Sequence, residues 1–442
     1  MSFPLIFIGK LISTVSRLLN IGSGGTWPGE MALWIKPDIL KEFSSKLSQG
    51  SILVVGTNGK TTTTLMIKKI LESEGLKVLH NDSGANLLNG VVSTFIQNSS
   101  WIGSVKADWG VFEIDENTLP SIISNYPMIQ FPNKQKKLII VFLNLFRDQL
   151  DRYGEVDVIA EKWRKALKNL PKDSEIILNA DDPQIAYLGK ALKAKIIYFG
   201  LDDPKLFLKE KEHATDSIFC LNCGARLEYL GLYYSHIGIW GCQKCGYKRP
   251  KPEVNEYDDV LPGLYNKYNT LAAAATAKAL GISNSQIKQS LRSFSPAFGR
   301  QEEFMVNGKK VKIFLSKNPA GFNEALRTVI SIGAKSLLFV LNDRIPDGRD
   351  VSWIWDVDFE MLSDNVDIIV SGDRAFDMGL RIKYGMKQFN NETMEQLKIK
   401  ENLKEAIFES MKKITHGETL YILPTYSAML GVRKILRGRK IL

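Results

Sequence analysis

Ser51-Ile52-Leu53-Val54-Val55-Gly56-Thr57-Asn58-Gly59-Lys60-Thr61-Thr62 is the stretch on which the fold turns. Ile52 to Val55 are apolar and mostly β-branched, the composition of a strand buried on both faces of a parallel sheet. Gly56 and Gly59 allow a sharp turn, and Leu65, Ile67, Ile70 and Leu71 then recur at helical spacing. A strand, a glycine turn and a helix N-terminus in that order make an anion site, because free backbone N–H groups and the helix dipole both favour negative charge. Lys60 can reach the β- and γ-phosphates of a nucleotide, and the Thr61 hydroxyl suits Mg²⁺. Thr57, Asn58, Gly59 and Thr62 complete the candidate nucleotide loop. The general pattern G-x-x-x-x-G-K-[ST] asks for glycine at position 54, where this chain has valine. A plain glycine turn before an ordinary helix is the alternative.

The chain has 442 residues, a length that suggests about three domains. Its 44% hydrophobic and 24% charged content permits a real core. The net charge of +10 suits an acidic substrate, an anionic membrane surface or nucleic acid. No basic stripe with interleaved aromatics runs through the sequence, so nucleic acid is not expected. Residues 1–21 are apolar but interrupted by Lys10 and Arg17, short of the roughly 18 uninterrupted residues a spanning helix needs. They read either as a helix packed on the first domain or as one lying on the inner membrane surface. Without a small-residue cleavage site or a disulfide framework, the cytoplasm is the expected compartment.

Further strands are expected at 77–80, 138–143 and 175–178. Another, Asp108 to Glu116, ends in acid, and there Glu113 is the candidate to hold Mg²⁺ opposite Thr61, with a bare strand-end carboxylate as the alternative. Asn179-Ala180-Asp181-Asp182-Pro183 can cap the helix that follows it. Cys220, Cys223, Cys242 and Cys245 stand as C-x₂-C-x₁₈-C-x₂-C, within the spacing of a closed, structural Zn²⁺ site. Between the pairs, Leu227 to Tyr234 reads as a hairpin turning at Gly231. An alanine-rich helix runs to Leu280. Strands at 311–315, 336–341, 366–370 and 419–423 alternate with helices, again α/β with a parallel sheet. The expected division is an N-terminal segment 1–48, a central ATP-binding domain 49–300 with a zinc-ribbon insertion at 205–255, and a C-terminal α/β domain 301–442.

Several of these motifs together resemble the Mur ligase family. They are the Gly-Thr-Asn-Gly-Lys-Thr of Gly56 to Thr61, the stretch Asn144 to Gly154, the Asn179 to Pro183 loop and Gly299-Arg300-Gln301-Glu302 after Phe298. The resemblance implies ATP, Mg²⁺ and a Mur-ligase-like P-loop central domain, followed by a Rossmann-like C-terminal domain. It places Asn266 near the adenine, with Tyr265 where the family has histidine, and Arg300 on the phosphates, a role that suits a guanidinium fork. Gln149 stands where the family has a metal-binding histidine, which leaves a second Mg²⁺ open. Lys162 lies about one residue short of the family's carbamylated lysine.

The four-cysteine insertion, the lack of a separate UDP-sugar domain and the stretch Asp347-Gly348-Arg349-Asp350-Val351-Ser352-Trp353-Ile354-Trp355-Asp356 are similar to one branch of that family. That branch implies ATP-dependent amidation of the D-glutamate α-carboxyl of lipid II at the inner face of the cell membrane. The ammonia would come from a GatD-type glutaminase in a heterodimer. It also implies that an acid of this stretch serves the glutaminase's Cys–His pair. Asp350 is the first candidate, with Asp347 and Asp356 behind it and Trp353 and Trp355 as interface anchors. An ordinary Mur-type ligase that adds an amino acid, and a non-enzymatic scaffold for nucleotide and zinc, are the rival readings.

Overall fold

A computed structural model of the chain describes residues 3–18, 26–81, 84–125, 136–148, 155–168, 170, 173–296, 299–363, 365–386, 397–415 and 417–437. Gln149 and Phe298 lie outside the described residues.

The first sheet consists of β1 (Gly50–Val55), β2 (Val78–His80), β3 (Trp109–Ile114), β4 (Lys137–Phe142), β5 (Glu175–Asn179) and β6 (Lys195–Phe199), in the order β2-β3-β1-β4-β5-β6. Every pairing is parallel. Val54 sits in register between Glu113 and Val141, so the loops leaving β1, β3 and β4 converge at one edge. Chain order reverses across β1, which is where open α/β sheets bind ligands. One face buries Leu53, Val55, Phe112, Ile140 and Phe142, and the other buries Ile52, Val54, Val111, Ile139 and Val141. Each such side chain contributes about 1.5–3 kcal/mol of burial, which is why the continuous apolar run of β1 was readable as a central strand. The helix Lys60–Ser73 packs on the second face with the helix Leu264–Ala279, whose Ala272 to Ala275 are fully buried and bring the backbones close.

Two strands pair as a hairpin, β7 (Glu228–Tyr234) with β8 (Ile237–Gly241). This corrects the expected turn at Gly231. The chain reverses at Ser235-His236, with Ser235 at φ 48°, and Gly231 lies within β7. Its missing side chain makes room for a ring: a Cβ there would stand 2.3 Å from Phe207.

The second sheet holds β9 (Arg300–Val306), β10 (Lys309–Phe314), β11 (Ser336–Val340), β12 (Asp367–Ser371), β13 (Leu397–Ile399) and β14 (Thr419–Pro424), in the order β13-β12-β11-β14-β10-β9. It departs from the all-parallel expectation at one edge, where β9 and β10 run antiparallel. They are joined through Asn307 (φ 50°) and Gly308 (φ 75°), the Asn-Gly dipeptide being the sequence signal of such a two-residue hairpin turn.

The N-terminal helix Phe3–Leu18 packs on the helices Trp27–Ile35 and Leu88–Asn98 through Leu5, Ile6 and Gly9. No described helix is long and apolar enough to cross a membrane.

A candidate nucleotide cleft and a four-cysteine centre

A cavity of about 310 Å³ opens where the loops after β1, β3 and β4 meet the second sheet. The backbone of the β1 loop is held from outside. Thr57 and Asn58 donate their N–H groups to the Asn144 carbonyl (3.0 Å) and side-chain oxygen (2.8 Å), and the Thr57 hydroxyl accepts from the Phe146 N–H at 2.9 Å. Gly59 sits at φ +90°, and a Cβ there would fall 2.1 Å from Asn269 Oδ1, so only glycine fits the start of the helix.

Lys60 is buried. Its Nζ donates to the Gly56 carbonyl (2.5 Å), the Thr57 carbonyl (3.3 Å) and Glu116 Oε1 (3.1 Å). The Thr61 hydroxyl donates to the Glu113 carboxylate. Asn81 clamps the Glu113 backbone with two hydrogen bonds of 2.9 Å, which fixes where that carboxylate points. A hydroxyl and a carboxylate that share one point suit a hard cation with oxygen ligands, so these two residues fit Mg²⁺.

The opposite wall comes from the second sheet and its first helix. Arg300, Lys317, Gly321, Glu324 and Tyr426 all line the cavity. Lys317 pairs with Asp148, whose other oxygen is buried without a described partner. Burial works against the Lys317 charge, but Asp148 and Glu116 outweigh it and raise its pKa. Burial lowers the pKa of Arg300, with Glu113 acting in the other direction. Burial also raises the pKa of Glu116, against the pull of Lys60 and Lys317. The cleft thus concentrates three cations over a set of acids, the disposition of a site that handles phosphate charge.

Thr57, Asn58, Gly59, Lys60, Thr62, Glu113, Asn266 and Arg300 all line this one cavity, and Thr61 joins it through Glu113. Asn266 is held by the Pro262 carbonyl at 2.7 Å and by Asn269 at 3.1 Å. Tyr265 accepts from Gln301 Nε2 at 2.8 Å, and burial pushes its pKa up to about 12. Lys162 does not line the cavity; its Nζ donates to Asn117 at 3.0 Å. Asp350 is exposed and also lies off the cavity. Glu116, Asp148 and Lys317 were not singled out from sequence. The acid run Asp115-Glu116 was the available signal for the first, whereas Lys317 comes from a loop whose position over the cleft only the tertiary fold reveals.

The four cysteines converge. Cys220 and Cys245 Sγ atoms are 3.6 Å apart, and those of Cys223 and Cys242 are 3.5 Å apart. A tetrahedron with Zn–S bonds of about 2.3 Å has edges of about 3.8 Å, so the donor set fits Zn²⁺. Gly224 (φ +73°) and Gly246 (φ +72°) close matching turns, donating their N–H groups to the Cys220 and Cys242 carbonyls at 2.8 and 2.9 Å. The ribbon core, including Trp240 and Leu227, packs on Ala186, and Trp240 Nε1 donates to the Ala180 carbonyl at 3.1 Å. Asn179 to Pro183 caps as expected. Asp182 accepts from Gln184 and Ile185 N–H at 2.9 and 3.3 Å, and it also receives the Leu145 N–H at 2.9 Å.

A family model described as Mur ligase middle domain matches residues 54–277, and one described as MurT ligase C-terminal matches residues 315–429. The chain is 35% identical over 401 residues to the lipid II isoglutaminyl synthase (glutamine-hydrolyzing) subunit MurT of Staphylococcus aureus (strain COL), covering 86% of each chain. It is 33% identical over 448 residues to the same subunit of Streptococcus pneumoniae (strain ATCC BAA-255 / R6), covering 96% of this chain and 95% of that one. The solved pseudomurein peptide ligase type C from Methanothermus fervidus shares the fold at a TM-score of 0.65 and 23% identity, covering 90% of this chain and 81% of that chain. Fold and site together define a ligase of the Mur family, to which the chain belongs. Within that family, it belongs with the MurT subunits of lipid II isoglutaminyl synthase. Membership implies ATP and Mg²⁺.

Proposed function

We propose that the chain is the ATP-using subunit that amidates the D-glutamate α-carboxyl of lipid II to D-isoglutamine through an acyl phosphate. A GatD-type glutaminase, bound as a heterodimer, supplies the ammonia. The observation that carries this reading is the meeting of Lys60, Arg300 and Lys317 with the Thr61–Glu113 pair in one cleft. A carboxylate is a poor electrophile, and phosphorylation gives it a leaving group. Lys60 and Arg300 hold the phosphates, and Lys317 adds charge where the phosphoryl group is transferred. Mg²⁺ held by Thr61 and Glu113 would supply further charge neutralisation. Thr57, Asn58, Gly59 and Thr62 cradle the phosphates, and Asn266 faces the base. Ammonia is small, which suits a second wall that carries Asn318-Pro319-Ala320-Gly321 in place of an amino-acid pocket. Cys220, Cys223, Cys242 and Cys245 hold a structural Zn²⁺, and Asp350 serves the glutaminase.

The same reading divides the chain at 1–48, 49–300 with the ribbon at 205–255, and 301–442. Co-expression with a GatD-type glutaminase, followed by mass spectrometry of lipid II, tests it. A carboxyl-to-amide mass change is expected only with both ATP and glutamine. Turnover with an amino acid and no glutaminase would overturn the reading.

A further inference from the structure

We propose that the outward face of the helix Phe3–Leu18, with the adjoining Trp101–Ile102 turn, docks the chain on an anionic lipid bilayer. The sequence left this helix between two readings, one packed on the protein and one lying on a membrane. The structure gives it a face for each. Leu5, Ile6, Gly9 and Ser13 point inward, and a Cβ at Gly9 would stand 2.8 Å from Ile96, so the helix is pressed close onto its neighbour. Pro4, Phe7, Ile8 and Leu11 point outward, at the i, i+3, i+4, i+7 spacing of one continuous stripe. A helix apolar on both sides belongs in a core or against lipid, and this one has its second side in solvent.

The stripe continues beyond the helix. Phe7 packs on Trp101 with ring centroids 5.6 Å apart, and Ile102 beside it is 80% exposed. An exposed tryptophan beside aliphatic side chains is the composition of membrane-interface anchors.

Charge selects the occupant. No Asp or Glu precedes Glu30 in the chain. Lys10 Nζ lies 5.2 Å over the Trp101 ring and 3.3 Å from the Gln97 carbonyl, at the edge of the stripe. Lys46, which also pairs with Glu42, donates to the Gly103 carbonyl of the same turn at 3.0 Å. Lysines edging an apolar patch can hold their stems in the interface while their heads reach anionic headgroups. A surface of this kind matches a lipid-linked substrate, and to that extent the inference rests on the function proposed above.

The test is co-sedimentation of the full chain, alone and with its glutaminase, on phosphatidylglycerol vesicles and on phosphatidylcholine vesicles, without ATP or glutamine. Binding is expected on the anionic vesicles. Phe7→Glu with Leu11→Glu should weaken it roughly tenfold or more, because the pair replaces two apolar contacts with two negative charges facing an anionic surface. Unchanged thermal unfolding would show that the variant is folded, and a milder Phe7→Ser with Leu11→Ser pair gives the same reading if it is not. Three results would overturn the inference: equal binding by variant and wild type, a wild-type preference for neither vesicle, or a variant that loses self-association or glutaminase binding. Vesicle binding needs no turnover, so it can fail while lipid II amidation holds, and the reverse result would count against the function alone.

Discussion

Asn58 of the loop after β1 and Asn318 of the second sheet's first loop exchange two hydrogen bonds, Asn58 Nδ2 to Asn318 Oδ1 at 3.1 Å and Asn318 Nδ2 to Asn58 Oδ1 at 3.0 Å. The pair ties the two walls of the cleft together at the loop proposed to hold the nucleotide. Asn318 Oδ1 also receives the Gly321 N–H at 2.8 Å and so caps the helix Pro319–Ser331. Asn318→Asp should keep the cap and lose the donor to Asn58. Asn318→Ala should lose both, at a cost of about 1 kcal/mol for the missing cap. The expected result is a raised KM for ATP in both variants and a lowered unfolding midpoint in the alanine variant alone. An unchanged KM in both would show that the tie plays no part in nucleotide binding.

Lys60 combines its proposed role on the phosphates with a structural one, its pairing with Glu116. Removing it leaves Glu116 buried without its bonded cation, with Lys317 still acting on its charge, and breaking such a pair costs about 3–5 kcal/mol unless the acid takes up a proton. Burial already raises the Glu116 pKa, so protonation offsets part of that cost. Lys60→Ala should therefore be folded but less stable, with amidation reduced by a factor of about 100 or more. Adding Glu116→Gln should restore stability and leave activity lost. Calorimetry and a turnover assay on the same samples separate the two effects. Appreciable amidation by either variant would remove Lys60 from phosphate chemistry.

The four-cysteine centre reaches the cleft through a short chain of contacts. Trp240 of the ribbon bonds to Ala180, and the neighbouring Asp182 holds the Leu145 N–H beside Asn144, which in turn fixes the loop after β1. Elemental analysis should find one zinc per chain. Cys242→Ser should lose it, since ligand replacement in a closed site removes folding energy along with the metal. The expected signature is a changed Trp240 fluorescence and a lower unfolding midpoint, with weaker ATP binding following. A zinc-free preparation with normal stability would refute the site.

What the sequence made legible was local. The strand, glycine turn and helix around Gly56 to Thr62, the cysteine spacing and the Asn179 to Pro183 cap each depend on residues a few positions apart. The turn at Gly231 was misplaced because a glycine that admits the Phe207 ring looks the same in sequence as one that turns the chain. Asp148 and Lys317 meet across 169 positions, and no short-range pattern encodes such a pair. Trp353, expected as an interface anchor, packs inward with its ring centroid 6.0 Å from that of Phe322, whereas Trp355 is half-exposed. Alternation along the short turn Ser352–Asp356 decides which ring faces out, and the sequence does not show where that turn begins.

The structure separates the three aspartates of that region. Asp347 is buried and accepts from the Ser427 N–H at 2.8 Å and from the Ser427 hydroxyl, so it secures its loop to the helix Tyr426–Arg437. Asp356 pairs with Arg147 at 3.2 Å, and Arg147 also holds Asp216. Asp350 is exposed, and its Oδ1 accepts from the Ser352 N–H at 2.8 Å. That bond and one from the Ser352 side chain lower its pKa, so it is a carboxylate at neutral pH and loses that stabilising contact only as pH falls through its own depressed value. An exposed, ionised acid is the form that can orient a partner's imidazole. In the assembled complex, Asp350→Asn should cut glutamine hydrolysis by a factor of about 100 or more across the neutral range, with complex formation and ATP binding intact. Asp347→Asn should instead lower the unfolding midpoint, and Asp356→Asn should do little to either. The measurement is glutamate release by each variant complex. Full hydrolysis by Asp350→Asn with loss in Asp356→Asn would move the role to the Arg147-paired acid, and full hydrolysis in all three would end the shared-site proposal.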